Sequence, residues 1–336
     1  MECFGLDIGE SSIKLAQVKK ENDGLSLVNL AEAPSPQPGI NGENEKQWVE
    51  TANVIRALTK DLKLRTKNAV FGLSEQKVIS RLIRFPPMKE SEVKAALQFE
   101  AETFIPYPLT KVQLDYEIVD KDEEGKLLVF IIAALKKTVA KYLKVAKLAG
   151  ITPIALETAA VALVRIFASN QKPTLIIDLG KRYSNLIIGK QGNVFLTRNI
   201  PIGTESLVRA ISVSLGLEMN VAEGYRQAYG LKEDELEGKV RKALMPLFQR
   251  LADDVKKSIY SFKEDWQENV GLLVFSGGGA ATPELAEEMT KILGLEVQVA
   301  QPFAGVKVAA PISIDLRKEG PRFSVAFGLA SRRLLV

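Results

Sequence analysis

The stretch Gly5-Leu-Asp7-Ile-Gly9-Glu10-Ser11-Ser12-Ile-Lys14 runs from an apolar strand through Asp-x-Gly and a polar turn into a second apolar strand. Ile177-Asp178-Leu-Gly180-Lys-Arg-Tyr-Ser184-Asn185 repeats the pattern mid-chain. A hairpin of this kind brings backbone N–H groups and a carboxylate to phosphates and to a cation that bridges them. Two such hairpins predict two half-sites facing one nucleotide.

Composition narrows what can surround them. The chain has 336 residues, a length that suits about two domains, and 46% of its residues are hydrophobic, enough for sizeable cores. A net charge of +4 is small for that length and argues against nucleic acid as a main partner. There is one cysteine, Cys3, and no histidine. That excludes an internal disulfide and Ser-His-Asp or Cys-His catalysis, and it makes a zinc site improbable. The first residues lack a basic segment followed by a long apolar one, and the longest apolar run, 127–135, is too short to span a bilayer. The expectation is a cytoplasmic protein that meets a membrane only through a partner.

Periodicity and punctuation predict strands near 3–8, 12–18 and 25–33, a helix over 45–64, and strands over 69–73 and 78–85, taken together as one mixed sheet with a crossover helix. Phe85-Pro-Pro-Met88 then opens an α/β insertion. It holds a helix over 90–104, strands over 112–119 and 127–135 joined by the charged turn 120–125, and a helix over 137–148 ending at Gly150. A strand and helix follow over 151–165. A second sheet starts at 174–178 and continues through 186–188 and 194–198. The stretch 204–262 reads as largely helical. A strand over 272–275 leads into Ser276-Gly-Gly-Gly279. Thr282 and Pro283 are the expected N-cap and first residue of a helix running to 293. The last helix is expected over 324–334.

The candidate site residues carry two readings each. Gly277, Gly278, Gly279 and Ala280 lie between strand and helix, either as a plain tight turn or as a close backbone approach to a flat or anionic ligand. Asp7 and Asp178 each end an apolar strand, where a carboxylate either caps its own turn or holds magnesium through water. Lys14 is a phosphate-binding point charge or a solvent-facing strand lysine. Asp254 and Lys257 are an i,i+3 surface pair or contacts to ribose and adenine. Glu157, expected to start a helix, is favoured there by the helix dipole or positions a water that attacks a terminal phosphate. Gly203 and Thr204 open a helix whose first N–H groups are a plain cap or a contact to ribose or phosphate.

Together these pieces resemble the actin-like ATPase superfamily. The stretch 5–14 looks like its first phosphate loop, 177–185 like its second, 271–280 like its adenosine motif, and 151–165 and 322–330 like its two connecting helices. Within it the chain is similar to the FtsA branch, and most of all to the type IV pilus assembly family PilM. The carriers are the insertion at 86–150, the segment Phe99-Glu-Ala-Glu102-Thr-Phe-Ile-Pro106-Tyr-Pro-Leu109 with Leu114-Asp-Tyr116, and an end at Val336 that shows no amphipathic tail.

The resemblance implies two actin-like, ribonuclease H-like α/β cores around a nucleotide cleft, each with an inserted subdomain. The first core would comprise 1–85, 151–172 and 320–336, with 86–150 inserted. The second would comprise 173–200 and 263–319, with 201–262 inserted. It further implies ATP with Mg2+. Asp7 and Asp178 would hold the metal's waters. Gly9, Glu10, Ser11, Ser12, Lys14, Gly180, Ser184 and Asn185 would lie around the phosphates. Gly203, Thr204, Asp254, Lys257 and 277–280 would lie around the nucleoside. Hydrolysis, with Glu157 as its acid, would be slow at most. The implied partner is the short cytoplasmic N-terminal peptide of a PilN-like membrane protein, bound in a groove that 99–109 helps to form, with self-association left open. An FtsA- or MreB-like filament protein and a small-molecule kinase are the alternatives.

Overall fold

The computed structural model describes residues 2–22, 24–121, 124–309 and 311–335. Asp122 and Glu123 of the expected charged turn, and the terminal Val336, lie outside them.

The opening hairpin seeds the first sheet. Strands β1 (Phe4–Ile8), β2 (Ser12–Glu21) and β3 (Gly24–Pro34) form an antiparallel meander. The helix α1 (Glu45–Asp61) then crosses over to β4 (Asn68–Leu73), which is parallel to β1. A reciprocal capping box starts α1: Asn44 Oδ1 accepts from the Gln47 amide at 3.1 Å, and Gln47 Oε1 accepts from the Asn44 amide at 3.4 Å. Thr51, Ala52, Ile55 and Leu58 form the buried stripe of α1.

The next strand departs from expectation. β5 (Val78–Phe85) does not join the first sheet. After α2 (Glu90–Phe104) and β6 (Val112–Lys121), β7 (Leu127–Leu135) pairs antiparallel with both β5 and β6, giving a separate three-stranded sheet in the order β5-β7-β6. α3 (Lys136–Ala149), expected inside the insertion, instead buries Tyr142, Val145, Ala146 and Ala149 in the core beneath α1. Alternation along β5 showed a strand but not which sheet would take it, because pairing is settled by which edge is available.

β8 (Thr152–Thr158) then adds parallel to β4, completing the order β3-β2-β1-β4-β8, and α4 (Ala159–Phe167) leaves it. The second sheet repeats the opening: β9 (Thr174–Leu179), β10 (Ser184–Lys190) and β11 (Asn193–Ile200) form another meander. Helices α5 (Thr204–Leu215), α6 (Met219–Ala228) and α7 (Lys239–Trp266) follow. β12 (Leu272–Ser276) returns parallel to β9. α8 (Leu285–Leu293) leads to β13 (Val297–Val299), parallel to β12, and β14 (Lys307–Val308) crosses back to pair with β3. α9 (Ser324–Ala330) lies with α4 in an apolar layer between the two large sheets.

Two helix ends differ from the sequence reading. α8 begins after Glu284, and Thr282 is not its cap: its hydroxyl donates to the Gly279 carbonyl at 2.8 Å and accepts from Arg226 at 2.8 Å. The glycine run itself takes the intervening turn as a short 3-10 segment, Gly278–Ala281. α9 stops at Ala330, a turn earlier than expected.

Candidate functional site

The two hairpins meet across the halves. Asp7 stands opposite Lys14 in the β1–β2 register, and Lys14 Nζ lies 3.7 Å from Glu32 Oε1. Burial raises the Asp7 carboxyl above its ordinary range; Lys14 opposes the shift and Glu32 adds to it. Asp178 stands opposite Asn185, whose Nδ2 donates to its Oδ2 at 3.4 Å, and beside Ser276 in the parallel register with β12. Burial pushes Asp178 up to about 6, and the negative charge of Asp7 contributes, against Lys14 and the Asn185 bond. The acids of the two jaws therefore share one desolvated region with few cations around it.

Both turns are held firmly. Gly9 N–H donates to the Ser12 carbonyl at 3.0 Å, and Gly180 N–H donates to the Tyr183 carbonyl at 3.0 Å. In the first turn the Gly9 carbonyl accepts from Ser35 Oγ at 2.6 Å, the Glu10 carbonyl from Gln37 Nε2 at 2.8 Å, and the Ser11 carbonyl from the Ser35 amide at 3.0 Å. In the second, the Gly180 and Lys181 carbonyls accept from the Thr204 and Glu205 amides at the start of α5, each at 2.9 Å. One ion pair crosses from turn to turn: Arg182 Nε lies 3.3 Å from Glu10 Oε2.

The glycine run arrives beside the second acid. Gly277 has φ +83, and a Cβ there would stand 2.7 Å from both Asp178 Oδ1 and the Leu179 carbonyl. Gly278 is exposed with open space around it, while Gly279 and Ala280 are buried. Gly278 is thus the member of the run with room for a neighbouring ligand.

Other expected site residues have structural duties. The amides of Gly203, Thr204 and Glu205 are all engaged, with Ser206 Oγ, the Gly180 carbonyl and the Lys181 carbonyl respectively. The start of α5 therefore braces the second turn rather than offering free donors to a ligand. Ser184 is wholly buried, and its hydroxyl donates to the Ile202 carbonyl at 2.6 Å. Asp254 and Lys257 sit on α7 as a loose pair at 3.9 Å, with Lys257 well exposed.

Glu157 does not start a helix. It lies near the end of β8, buried, with Arg165 donating to both of its oxygens at 2.6 and 2.8 Å and Arg332 donating to one at 2.8 Å. Two guanidiniums occupy the carboxylate, so it ties β8 to α4 and to the turn after α9 instead of holding a water. The acid that does reach the start of α4 is Glu75, which the sequence reading passed over. It is 4% exposed, its Oε1 accepts the Ala160 amide at 2.7 Å, and burial, with Asp178 adding, lifts it to about 7. The signal was positional: Glu75 follows the C-terminal end of a parallel strand next to β1, the edge where open α/β sheets place ligands.

Among the described residues no group of three His, Cys, Asp or Glu side chains is arranged to hold a metal directly. Two carboxylates fit a hydrated divalent cation instead. Asn185 Oδ1, buried without a donor among the described residues, is an acceptor suited to a bound water. The residues present therefore fit magnesium held through its waters.

Two α/β halves, each presenting an acid at a hairpin to one shared cleft, define the actin-like class. The model of the type IV pilus assembly protein PilM family matches residues 5–334, and the chain belongs to that family. A solved PilM-PilN type IV pilus biogenesis complex contains a chain 27% identical to this one, with a TM-score of 0.85 over 99% of this chain and 98% of that one. The ethanolamine utilization protein EutJ from Carboxydothermus hydrogenoformans shares the fold at 16% identity and TM-score 0.59, covering 98% of this chain and 89% of its own. MreB5 of Spiroplasma citri, solved with ADP, does so at 12% identity and 0.54, covering 97% and 94%. No helix among the described residues is long and apolar enough to cross a membrane.

Proposed function

We propose that the cleft binds Mg-ATP and that the chain uses it to set the relative position of its halves while it binds a PilN-like peptide. The observation that carries the first part is the convergence of Asp7, Asp178 and Gly277 from three separate elements. Asp7 and Asp178 would hold the cation's waters; the cation would screen the charge of the phosphates. The braced turns Gly9–Ser12 and 180–184 would flank the phosphates, Lys14 would supply a point charge, and Gly278 would lie against the nucleoside. With Glu157 occupied by two arginines, nothing at the start of α4 except Glu75 is placed to order a water, which fits slow hydrolysis. A kinase reading is less favoured, since the chain belongs to the PilM family and resembles a solved PilM over nearly its whole length.

The partner reading draws on the relative solved with PilN and on the insertion. The pairing of β5 with β7 and the packing of α3 under α1 support reading the insertion as 78–135, with 136–150 part of the first core. Phe99 on α2 is 77% exposed and Tyr107 is 46% exposed, while Ile105 between them is buried. The segment 99–109 thus both packs inward and offers two aromatic anchors outward, as a peptide groove wall does. Attachment to the inner membrane would come through that partner.

Calorimetry tests both parts. Asp178→Ala should weaken Mg-ATP binding by about a hundredfold or more (~2.7 kcal/mol) while the peptide still binds. The N-terminal peptide of a PilN-like protein should bind with micromolar affinity or better (~8 kcal/mol), and Phe99→Ala should weaken it. Unchanged nucleotide affinity, or no peptide binding in any nucleotide state, rejects the corresponding part.

A further inference from the structure

The pair Arg182–Glu10 joins two turns whose backbones are each fixed from behind. Glu10 sits on a turn pinned by Ser35 and Gln37, and Arg182 on one pinned by the first amides of α5. Its position is therefore set by the folds of the two halves and not by loop wandering. Arg182 is about half exposed and Glu10 about a quarter, so the pair contributes little to stability and exchanges readily. Two other charged groups nearby are already engaged. Glu205, the acid beside Arg182 on α5, pairs with Arg209 at 3.3 Å, and Lys14 pairs with Glu32. Arg182 is left as the cation that overhangs the first turn from the opposite half.

We propose that Arg182 reads the terminal phosphate of a nucleoside triphosphate, which exchanges with the Glu10 carboxylate as its partner. The proposal rests on the reading of the cleft as a nucleotide site. A guanidinium fork matches phosphate oxygens with two parallel hydrogen bonds, which the neighbouring Lys181 cannot do. A terminal phosphate carries more charge than a carboxylate, so the exchange is favourable when a triphosphate lies against Gly9–Ser12. A diphosphate, which lacks that terminal group, would leave the pair with Glu10 intact. The residue thereby makes the grip of one half on the other depend on the third phosphate. The same stretch, Lys181-Arg182, is where the sequence is bulkier than a plain glycine-rich phosphate turn.

The test is calorimetric titration of ATP and of ADP, each with Mg2+, on the whole chain. Arg182→Ala should lower the ratio of ATP to ADP affinity about tenfold, and Arg182→Lys should recover only part of it. Glu10→Gln should raise the ratio of ATP to ADP affinity at least twofold (roughly the gain from losing a competing exposed pair). Lys181→Ala should leave the ratio unchanged. Equal losses for both nucleotides in Arg182→Ala, no loss in either, or an equal fall in Lys181→Ala overturns the proposal while the nucleotide site stands. A wild-type chain that binds neither nucleotide removes both.

Discussion

The hairpin turns after Asp7 and after Asp178 share Asp-x-Gly and the same backbone closure, yet their surroundings differ in kind. Each closes through a glycine N–H on a carbonyl three residues on, and in each a Cβ on that glycine would stand 2.9 Å from that carbonyl. The first turn is held by side chains from the segment after β3, the second by backbone amides of a helix. Opposite Asp7 in its hairpin stands Lys14; opposite Asp178 stands Asn185, whose amide donates to it. One local motif, placed in two settings, becomes a jaw partly neutralised by its own lysine and a jaw that keeps its acid unpaired.

The largest effect that separates the jaws is a titration. Asp178 and Glu75 are held at about 6 and about 7, above the ordinary values of 3.8 and 4.5. The folded chain thus binds more protons than the unfolded one between about pH 4 and 7. Stability of the nucleotide-free protein should be full below that window and fall as pH rises through it, by several kcal/mol (~1.4 per pKa unit). Asp7, whose carboxyl burial also raises, lies in the same field. Urea melts from pH 4.5 to 8 check this. Asp178→Asn should flatten the profile and raise stability at pH 8, and an Asp178→Asn chain as sensitive to pH as wild type would remove the account.

Next come the turn glycines. Gly9→Ala and Gly180→Ala should cost about the same, roughly 1–3 kcal/mol, because the obstructing carbonyl is equally near in both. Unequal chemical melts would show that the likeness between the turns ends at their sequence. A smaller effect tests the bracing. Ser35→Ala leaves the Gly9 carbonyl without its hydroxyl donor and should cost about 1 kcal/mol, weakening nucleotide binding through the first turn alone. The smallest is Asp254→Ala. A half-buried acid loosely paired with an exposed lysine should change stability by no more than about 0.5 kcal/mol, and a large loss of nucleotide affinity would restore its ribose-binding role.

Most elements were legible from the chain. Strand alternation, helical periodicity and the proline and glycine stops located nearly all of them, because those signals are local. Three of the misplacements involve a choice between partners. β5 looked like another strand of the first sheet, but β7 supplied the edge it pairs with. Thr282 looked like a helix cap, yet Arg226 arrives from 56 residues away and claims its hydroxyl. Glu157 was the obvious acid before α4, and its neutralisation comes from Arg165 and from Arg332, 175 residues on. Glu75 carried no local mark, since its meaning lies in reaching the start of a helix 85 residues away.

The sequence by itself determined the two Asp-x-Gly turns, the glycine run and the family they belong to. Each of these depends on residue types within a few positions, where backbone sterics and strand periodicity decide the outcome. Only the tertiary structure decided which acids stay unpaired, that the start of α5 serves the second turn, and that Arg182 meets Glu10 across the halves. Those depend on which charges are brought within a few ångströms and removed from water, and the energy of a charge is set by that neighbourhood rather than by its place in the chain.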